Sequence, residues 1–453
     1  MIRSLLLSEV GVMLDATLVN GDVRFSTLTI DTRELQVDDL FVAIKGANFD
    51  GHAFVEKAQV SGAVAAVVEQ QMPVNLPQLV VSDSRDALGQ LGAINRDQFD
   101  GAVLAITGSA GKTTVKEMSA TIFSQMGSTL ATQGNFNNEI GAPLTLLRLA
   151  AEHQYAVLEL GASSIGEIAY TAGLVRPDVA VITNAAEAHI EGFGCLNNVV
   201  QAKGEILDAL PANGVAIMNG DDLNVYKWRA RAGARKQQVF SLDEHSGADF
   251  YARDYQLQDD GAYSFELVTP QGAIAVNLHQ LGRHNVANAL AAAAATHELG
   301  ASLADIKAGL EAVVGAGGRL TSMVLGNGAR IIDDSYNANP GSVRAAIDVL
   351  AQCPGHKILV LGDMAELGDS ARQDHQHAAQ YALSQGVDNL MTLGSLSAHA
   401  AHEFGSQGDA YDNHVTLIDE LRERIGSNTT VLVKGSRSAH MERVVQAFMS
   451  GEH

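Results

Sequence analysis

The segment Thr107-Gly108-Ser109-Ala110-Gly111-Lys112-Thr113-Thr114 has the residue types to hold a polyphosphate. It follows an apolar run at 103–107 and precedes a helical pattern from residue 113. Small residues let successive backbone N–H groups turn toward one anion. A lysine neutralises the terminal phosphates, and a hydroxyl in the first helical turn suits Mg²⁺. Ile106 stands where the generic spacing places a glycine, so the loop is a shortened variant. A glycine-rich turn with a chance lysine is the plain alternative; the order strand, loop, helix favours the phosphate loop. Glu159 closes a second apolar run. Alone it reads as a solvated loop acid, but beside a phosphate loop it suits a magnesium shell, which takes one or two carboxylates. A third run ends at Thr183-Asn184 and leads to His189, a further metal-competent group.

These groups need a scaffold that brings strand ends together. Between residues 101 and 313, apolar runs at 103–107, 156–160, 179–183 and 215–218 alternate with helical patterns, as in βαβ units with a parallel sheet. Residues 250–278 alternate with period two between turn signals and read as a small antiparallel meander. Residues 1–100 mix short strands (26–30, 40–44, 63–68, 79–81) with helices at 54–60 and 85–99. After a glycine-rich hinge at 315–318, strands at 329–332, 358–361, 390–393 and 430–433 alternate with helices in a Rossmann-like pattern. The fold class is therefore α/β in three domains, 1–100, 101–313 and 314–453.

Composition narrows the function. The 453 residues carry 30 basic and 52 acidic side chains, a formal net charge of −22, which argues against a nucleic-acid partner. No apolar stretch approaches the roughly 20 residues that span a bilayer, so no membrane insertion is expected. Two cysteines indicate no disulfide framework, and no signal peptide is evident, so the expected compartment is the cytoplasm.

Taken in order, these motifs resemble the Mur ligases. Residues 108–114 look like their ATP loop, and Asn135-Phe136-Asn137-Asn138-Glu139-Ile140-Gly141 like the segment that follows it. Asn184 to His189 and Ala202-Lys203 look like their metal-side histidine and modified lysine. Residues 282–288 look like the adenine-contact segment. Gly318-Arg319 and 333–340 look like the third domain's contribution to ATP. Asp31-Thr32-Arg33, the run 39–46, Gly362-Asp363-Met364-Ala365-Glu366-Leu367-Gly368 and Lys434-Gly435-Ser436-Arg437 point to the branch that adds D-alanyl-D-alanine. The Asp-Asn-Pro-Arg signature of the diaminopimelate-adding sibling is absent.

The resemblance implies an ATP-dependent ligase of peptidoglycan biosynthesis. The carboxylate of UDP-N-acetylmuramoyl-tripeptide takes the γ-phosphate of ATP, and D-alanyl-D-alanine attacks the acyl phosphate. Lys112, Asn138, His189 and Lys203 are the expected catalytic residues. ATP is expected on Thr107, Gly108, Ser109, Ala110, Gly111, Lys112, Thr113 and Thr114, with Asn285 and Asn288 at adenine and Arg319 and Asp334 clamping from the third domain. Two Mg²⁺ are expected, one on Thr113 and Glu159, the other on His189 and a carbamylated Lys203. Thr32, Arg33, Lys45 and Gly46 are assigned to the UDP end, so the first domain is read as UDP-binding. Arg33 also reads as a structural ion pair with a neighbouring acid. Lys434, Ser436 and Arg437, a basic pair at a strand end, suit a substrate carboxylate. A monomer is expected. A folate polyglutamylating relative would share the ATP parts but lack the UDP block, and a phosphate-loop switch would hydrolyse without an amine acceptor.

Overall fold

The structure, a computed structural model, describes residues 1–46, 49–186, 190–258, 261–313, 315 and 317–449. Three large sheets are present among these residues. The first, of five strands, has Leu40–Val42 and Ala65–Val68 among its three interior strands. Every residue of both strands is buried. Unbroken apolar runs of this kind belong to strands covered on both faces.

The central sheet has nine strands. Ala102–Thr107 lies between Tyr155–Glu159 and Val179–Ile182 and is parallel to both. The register sets Glu159 opposite Ile106 and Ile182 opposite Thr107, so three carboxyl ends finish side by side. The antiparallel meander (Phe250–Leu257, Ala262–Thr269, Gly272–Leu281) is not detached from this sheet. Phe250 and Tyr251 pair in parallel with Phe240 and Ser241, and the meander extends the parallel strands without a break. The strand that makes the join, Lys236–Ser241, opens Lys-Gln-Gln, which hid it from a reading based on apolar runs.

One face of this sheet is covered by the alanine-rich helix Arg283–Glu298, in which Ala289 and Ala291 to Ala295 are fully buried. Small side chains bring that helix close to the strands. Gly309, in the next helix, serves the same end: a Cβ there would come 2.4 Å from Ile122 Cα in the phosphate-loop helix.

The third sheet has six strands, and its last, Thr429–Lys434, inserts between Arg330–Asp334 and His356–Gly362. In such open parallel sheets the crevice for a ligand opens at the carboxyl ends where strand order reverses. Ala316, within the expected hinge, and Val314, just before it, lie outside the described residues. No helix among the described residues is long and apolar enough to cross a membrane.

Asn95 ties the first domain to the second. Fully buried in the helix Ser84–Arg96, it donates its amide to Leu146 O (2.8 Å) and Leu149 O (3.0 Å) and accepts from Ile2 N (2.9 Å). Asn95→Leu keeps the volume but leaves these groups unmet, and is expected to cost about 2–4 kcal/mol. Urea unfolding followed by far-UV circular dichroism checks this; an unchanged midpoint would contradict it.

Candidate active site

The phosphate loop is shaped by its neighbours. Gly111 is left-handed (φ +83°), and a Cβ there would stand 2.4 Å from Asn288 Oδ1. At Gly108 a Cβ would collide with the Thr183 hydroxyl. The adjacent strand end grips the loop: Ala110 N donates to Asn184 Oδ1 (2.9 Å), Thr183 Oγ1 donates to Ala110 O (2.6 Å), and Ser109 N donates to Asn184 O (3.0 Å). Ser109 Oγ lies between Ala186 O and Ala186 N, at 3.1 and 2.9 Å. The loop is thus stitched to the switch point between two parallel strands.

Lys112 opens the helix Lys112–Ser124 and folds back to donate to Gly108 O at 2.7 Å. Burial lowers its pKa and the nearby Arg319 adds to this, while Glu159 opposes both. Thr113 Oγ1 donates to Glu159 Oε2 (2.8 Å) and Asn137 Nδ2 donates to Glu159 Oε1 (2.8 Å). The Glu159 carboxylate is therefore fixed beside the loop, with two oxygen donors together on residues 113 and 159. No cluster of three or more His, Cys, Asp or Glu able to hold a metal occurs among the described residues. The Thr113–Glu159 pair fits Mg²⁺ that draws its other ligands from phosphate and water. His189 lies outside the described residues.

Lys203 sits in the helix Leu196–Gly204 and is only 2% exposed. Its ammonium makes no hydrogen bond among the described residues; Nζ lies 5.4 Å from the Phe193 ring centroid. Burial, then the charge of Lys112, lowers its pKa to about 7 against the pull of Glu167 and Glu205.

Several predicted residues have their polar groups committed within the fold. Thr107 Oγ1 donates to Leu160 O (2.8 Å). Asn138 Oδ1 accepts from Gly141 N (2.9 Å), the first residue of the helix Gly141–Leu147, and its neighbour Asn137 is the one that reaches Glu159. Asn285 and Asn288, expected at adenine, turn inward: Asn285 Nδ2 donates to Leu281 O and Asn288 Nδ2 to Asn285 Oδ1, each at 2.8 Å, under the loop. Arg33, expected at UDP, grips Asp31 through Nε (2.9 Å) and Nη2, with its side chain 83% exposed. Lys45 and Gly46 are positioned by a residue the sequence reading passed over, Arg85, whose Nη2 donates to Lys45 O (2.9 Å). Thr32 is half-buried.

The third domain supplies a second polar cluster. Lys434, expected at a substrate carboxylate, is instead buried and donates to Asp334 Oδ2 (2.6 Å) and Asn337 O (2.9 Å). Its charge is taken up by a partner in the fold. Arg319 lies over the Tyr336 ring, 4.1 Å from its centroid, a cation–π contact. His284, from the central domain, is near enough to Lys434 that the lysine adds to burial in lowering its pKa to about 4. Beyond Lys434 a cavity of about 400 Å³ is lined by Asn337, Glu366, Leu367, Ser436, Arg437 and His440. All come from the three loops at the carboxyl ends of Arg330–Asp334, His356–Gly362 and Thr429–Lys434. Arg437 is exposed, and Ser436 is buried with its hydroxyl 3.1 Å from Ser438 Oγ.

Family models match all three parts of the chain: "Mur ligase family, catalytic domain" over residues 24–96, "Mur ligase middle domain" over 106–296, and "Mur ligase, glutamate ligase domain" over 318–437. The chain is 46% identical over 446 residues to UDP-N-acetylmuramoyl-tripeptide--D-alanyl-D-alanine ligase of Escherichia coli (strain K12), covering 98% of each. The chain belongs to the Mur ligase family. Among solved structures it is similar to MurF from Acinetobacter baumannii, with a TM-score of 0.94, 38% identity and 99% of both chains covered. It is also similar to MurF ligase from Thermotoga maritima in complex with ADP (TM-score 0.84, 29% identity, 94% of this chain and 97% of that one).

Lys112→Ala removes the point charge from the loop and is expected to lower ATP turnover by on the order of 10²–10³. A coupled ADP-release assay measures this, with thermal unfolding as the control for folding. Activity within about threefold of wild type would remove Lys112 from the site.

Proposed function

We propose that this chain adds D-alanyl-D-alanine to UDP-N-acetylmuramoyl-tripeptide, consuming ATP, as a cytoplasmic step of peptidoglycan biosynthesis. One observation carries the reading: a single chain combines a phosphate-loop crevice with a second carboxyl-end cavity that has a carboxylate and a guanidinium on its walls. The names of its relatives supply the substrates. The three units 1–100, 101–313 and 314–453 then take the UDP end, ATP and the incoming dipeptide respectively. Thr32, Lys45 and Gly46 are the candidate UDP contacts, with Arg33 available if it releases Asp31.

A carboxylate is a poor electrophile, and phosphorylation gives it a leaving group. The protein's work is then positioning and charge compensation. Lys112 and the loop amides bind the phosphates. Arg319 adds positive charge from the third domain. Thr113 and Glu159 would hold one Mg²⁺, which supplies charge neutralisation between phosphate oxygens. Asn137 keeps the Glu159 carboxylate oriented. Arg437 receives the dipeptide carboxylate in the third-domain cavity, and Lys434 with Asp334 stiffens the wall behind it.

Lys203 is carbamylated in this reading, and with His189 would hold the second Mg²⁺. A buried ammonium beside Lys112 is unfavourable, whereas the neutral amine adds CO₂ and gives up a proton to solvent. The resulting anion offers two oxygens to a hard cation and relieves the repulsion from Lys112.

The substrate reading is tested by ADP release with UDP-N-acetylmuramoyl-tripeptide, with and without D-alanyl-D-alanine. Release that needs both is expected, and release independent of the dipeptide would overturn it. For Lys203, the Lys203→Ala enzyme is expected to be inactive and partly restored by added short-chain carboxylates. Full activity without them would refute the role of Lys203, and a plain ammonium in high-resolution density beside two occupied metal sites would refute the carbamate.

A further inference from the structure

Residues 365–367 form one wall of the third-domain cavity, and the segment 363–367 is pinned at three points, two on its backbone and one on the Asp363 side chain. Ser436 N donates to Asp363 O at 2.9 Å. Ser397 N donates to Asp363 Oδ1 at 2.7 Å, across a turn where a Cβ on Gly394 (φ +122°) would stand 2.3 Å from that same oxygen. Met364 N donates to His375 Nε2 at 2.9 Å. His375 is fully buried in the helix Ala371–Ser384. Its Nδ1 lies 2.6 Å from Ala371 O. A carbonyl oxygen can only accept, so Nδ1 carries the hydrogen and Nε2 presents its lone pair to Met364. The tautomer is thereby fixed.

Between these pins and Leu367, Glu366 adopts the left-handed region at φ +60° and lines the cavity. A non-glycine residue stays there only when its surroundings over-determine the backbone, and such residues cluster at ligand sites. His375 is not among the lining residues and reaches the wall through this hydrogen bond, while Ser370, at the start of the same helix, donates to Leu367 O at 2.9 Å.

We infer that His375 is a positioning residue for the amine-bearing substrate: through Met364 N it holds the 365–367 wall in the shape the incoming dipeptide meets. The inference rests on reading this cavity as the D-alanyl-D-alanine site. A zwitterion with two methyl side chains has few atoms with which to gain affinity. Its binding therefore depends on polar groups that are already in place.

The test is steady-state kinetics of the full-length enzyme with each of its three substrates varied. His375→Leu removes the acceptor at similar volume, and His375→Gln restores one through its side-chain carbonyl. His375→Leu is expected to raise KM for D-alanyl-D-alanine by about tenfold, the effect of one buried N–H left unmet. KM for ATP and for the UDP-linked substrate stay within about twofold, and His375→Gln recovers most of the loss. A lower Tm with all three KM values unchanged would reduce His375 to a core residue and overturn the inference, as would a parallel rise in all three. If His375→Leu does not fold, Asp363→Ala releases the same wall at its side-chain pin to Ser397 N. It must then give the same selective rise, and a non-selective one overturns the proposal. Wild-type enzyme that fails to use D-alanyl-D-alanine would overturn the functional reading itself, before any variant is compared.

Discussion

Positive charge packed around the phosphate loop is the constraint on which the rest of the site depends. Burial is the main cause that depresses the pKa of Lys112 and of Lys203; Glu159 opposes it at Lys112 and Arg319 adds to it there, while Lys112 adds to it at Lys203. Lys112 thus meets like charge from Arg319 on one side and Lys203 on the other, only partly offset by Glu159, Glu167 and Glu205. A polyphosphate at the loop relieves that repulsion, and so does an anionic modification of Lys203. The chain as a whole carries −22. Its long-range field is screened within about 8 Å at physiological salt, so the local cluster rather than the net charge governs binding.

The rigidity that holds this cluster comes from strand register. Ile106, Glu159 and Thr107, Ile182 are aligned pairs, so loop, carboxylate and the Thr183-Asn184 brace are fixed by the same parallel ladder. The third domain repeats the device. Its last strand inserts between two earlier ones, and the three loops that follow enclose the cavity. The Lys434–Asp334 pair lies at the base of these loops, and His284 of the central domain faces it. An ion pair this buried contributes less through net energy than through geometry, because breaking it would strand a charge.

Much of the scaffold was legible because its strands are continuous apolar runs bounded by turns. The phosphate-loop strand, its two neighbours and the four main strands of the third sheet fall within a residue or two of their expected places. Strands with polar faces were not legible. Lys236–Ser241, Thr321–Val324 and Gly408–Tyr411 owe their conformation to a sheet edge or neighbour already formed.

At the site, the sequence by itself determined the chemistry available: a loop only glycine can close, a lysine and a hydroxyl at a helix start, and an acid at a strand end. Tertiary structure decided which of several similar side chains does what. Asn137 rather than Asn138 reaches Glu159, because Asn138 is one step nearer the helix whose first N–H it accepts from. Asn285 and Asn288 support the loop from below, because the alanine-rich helix that carries them is buried against the sheet. Lys434 pairs with Asp334, a hundred residues earlier, because the register of two parallel strands sets them opposite each other. Residue type and spacing specify what a group is able to bond. Its partner depends on which strand ends meet, and that contact exists only once the sheet has formed.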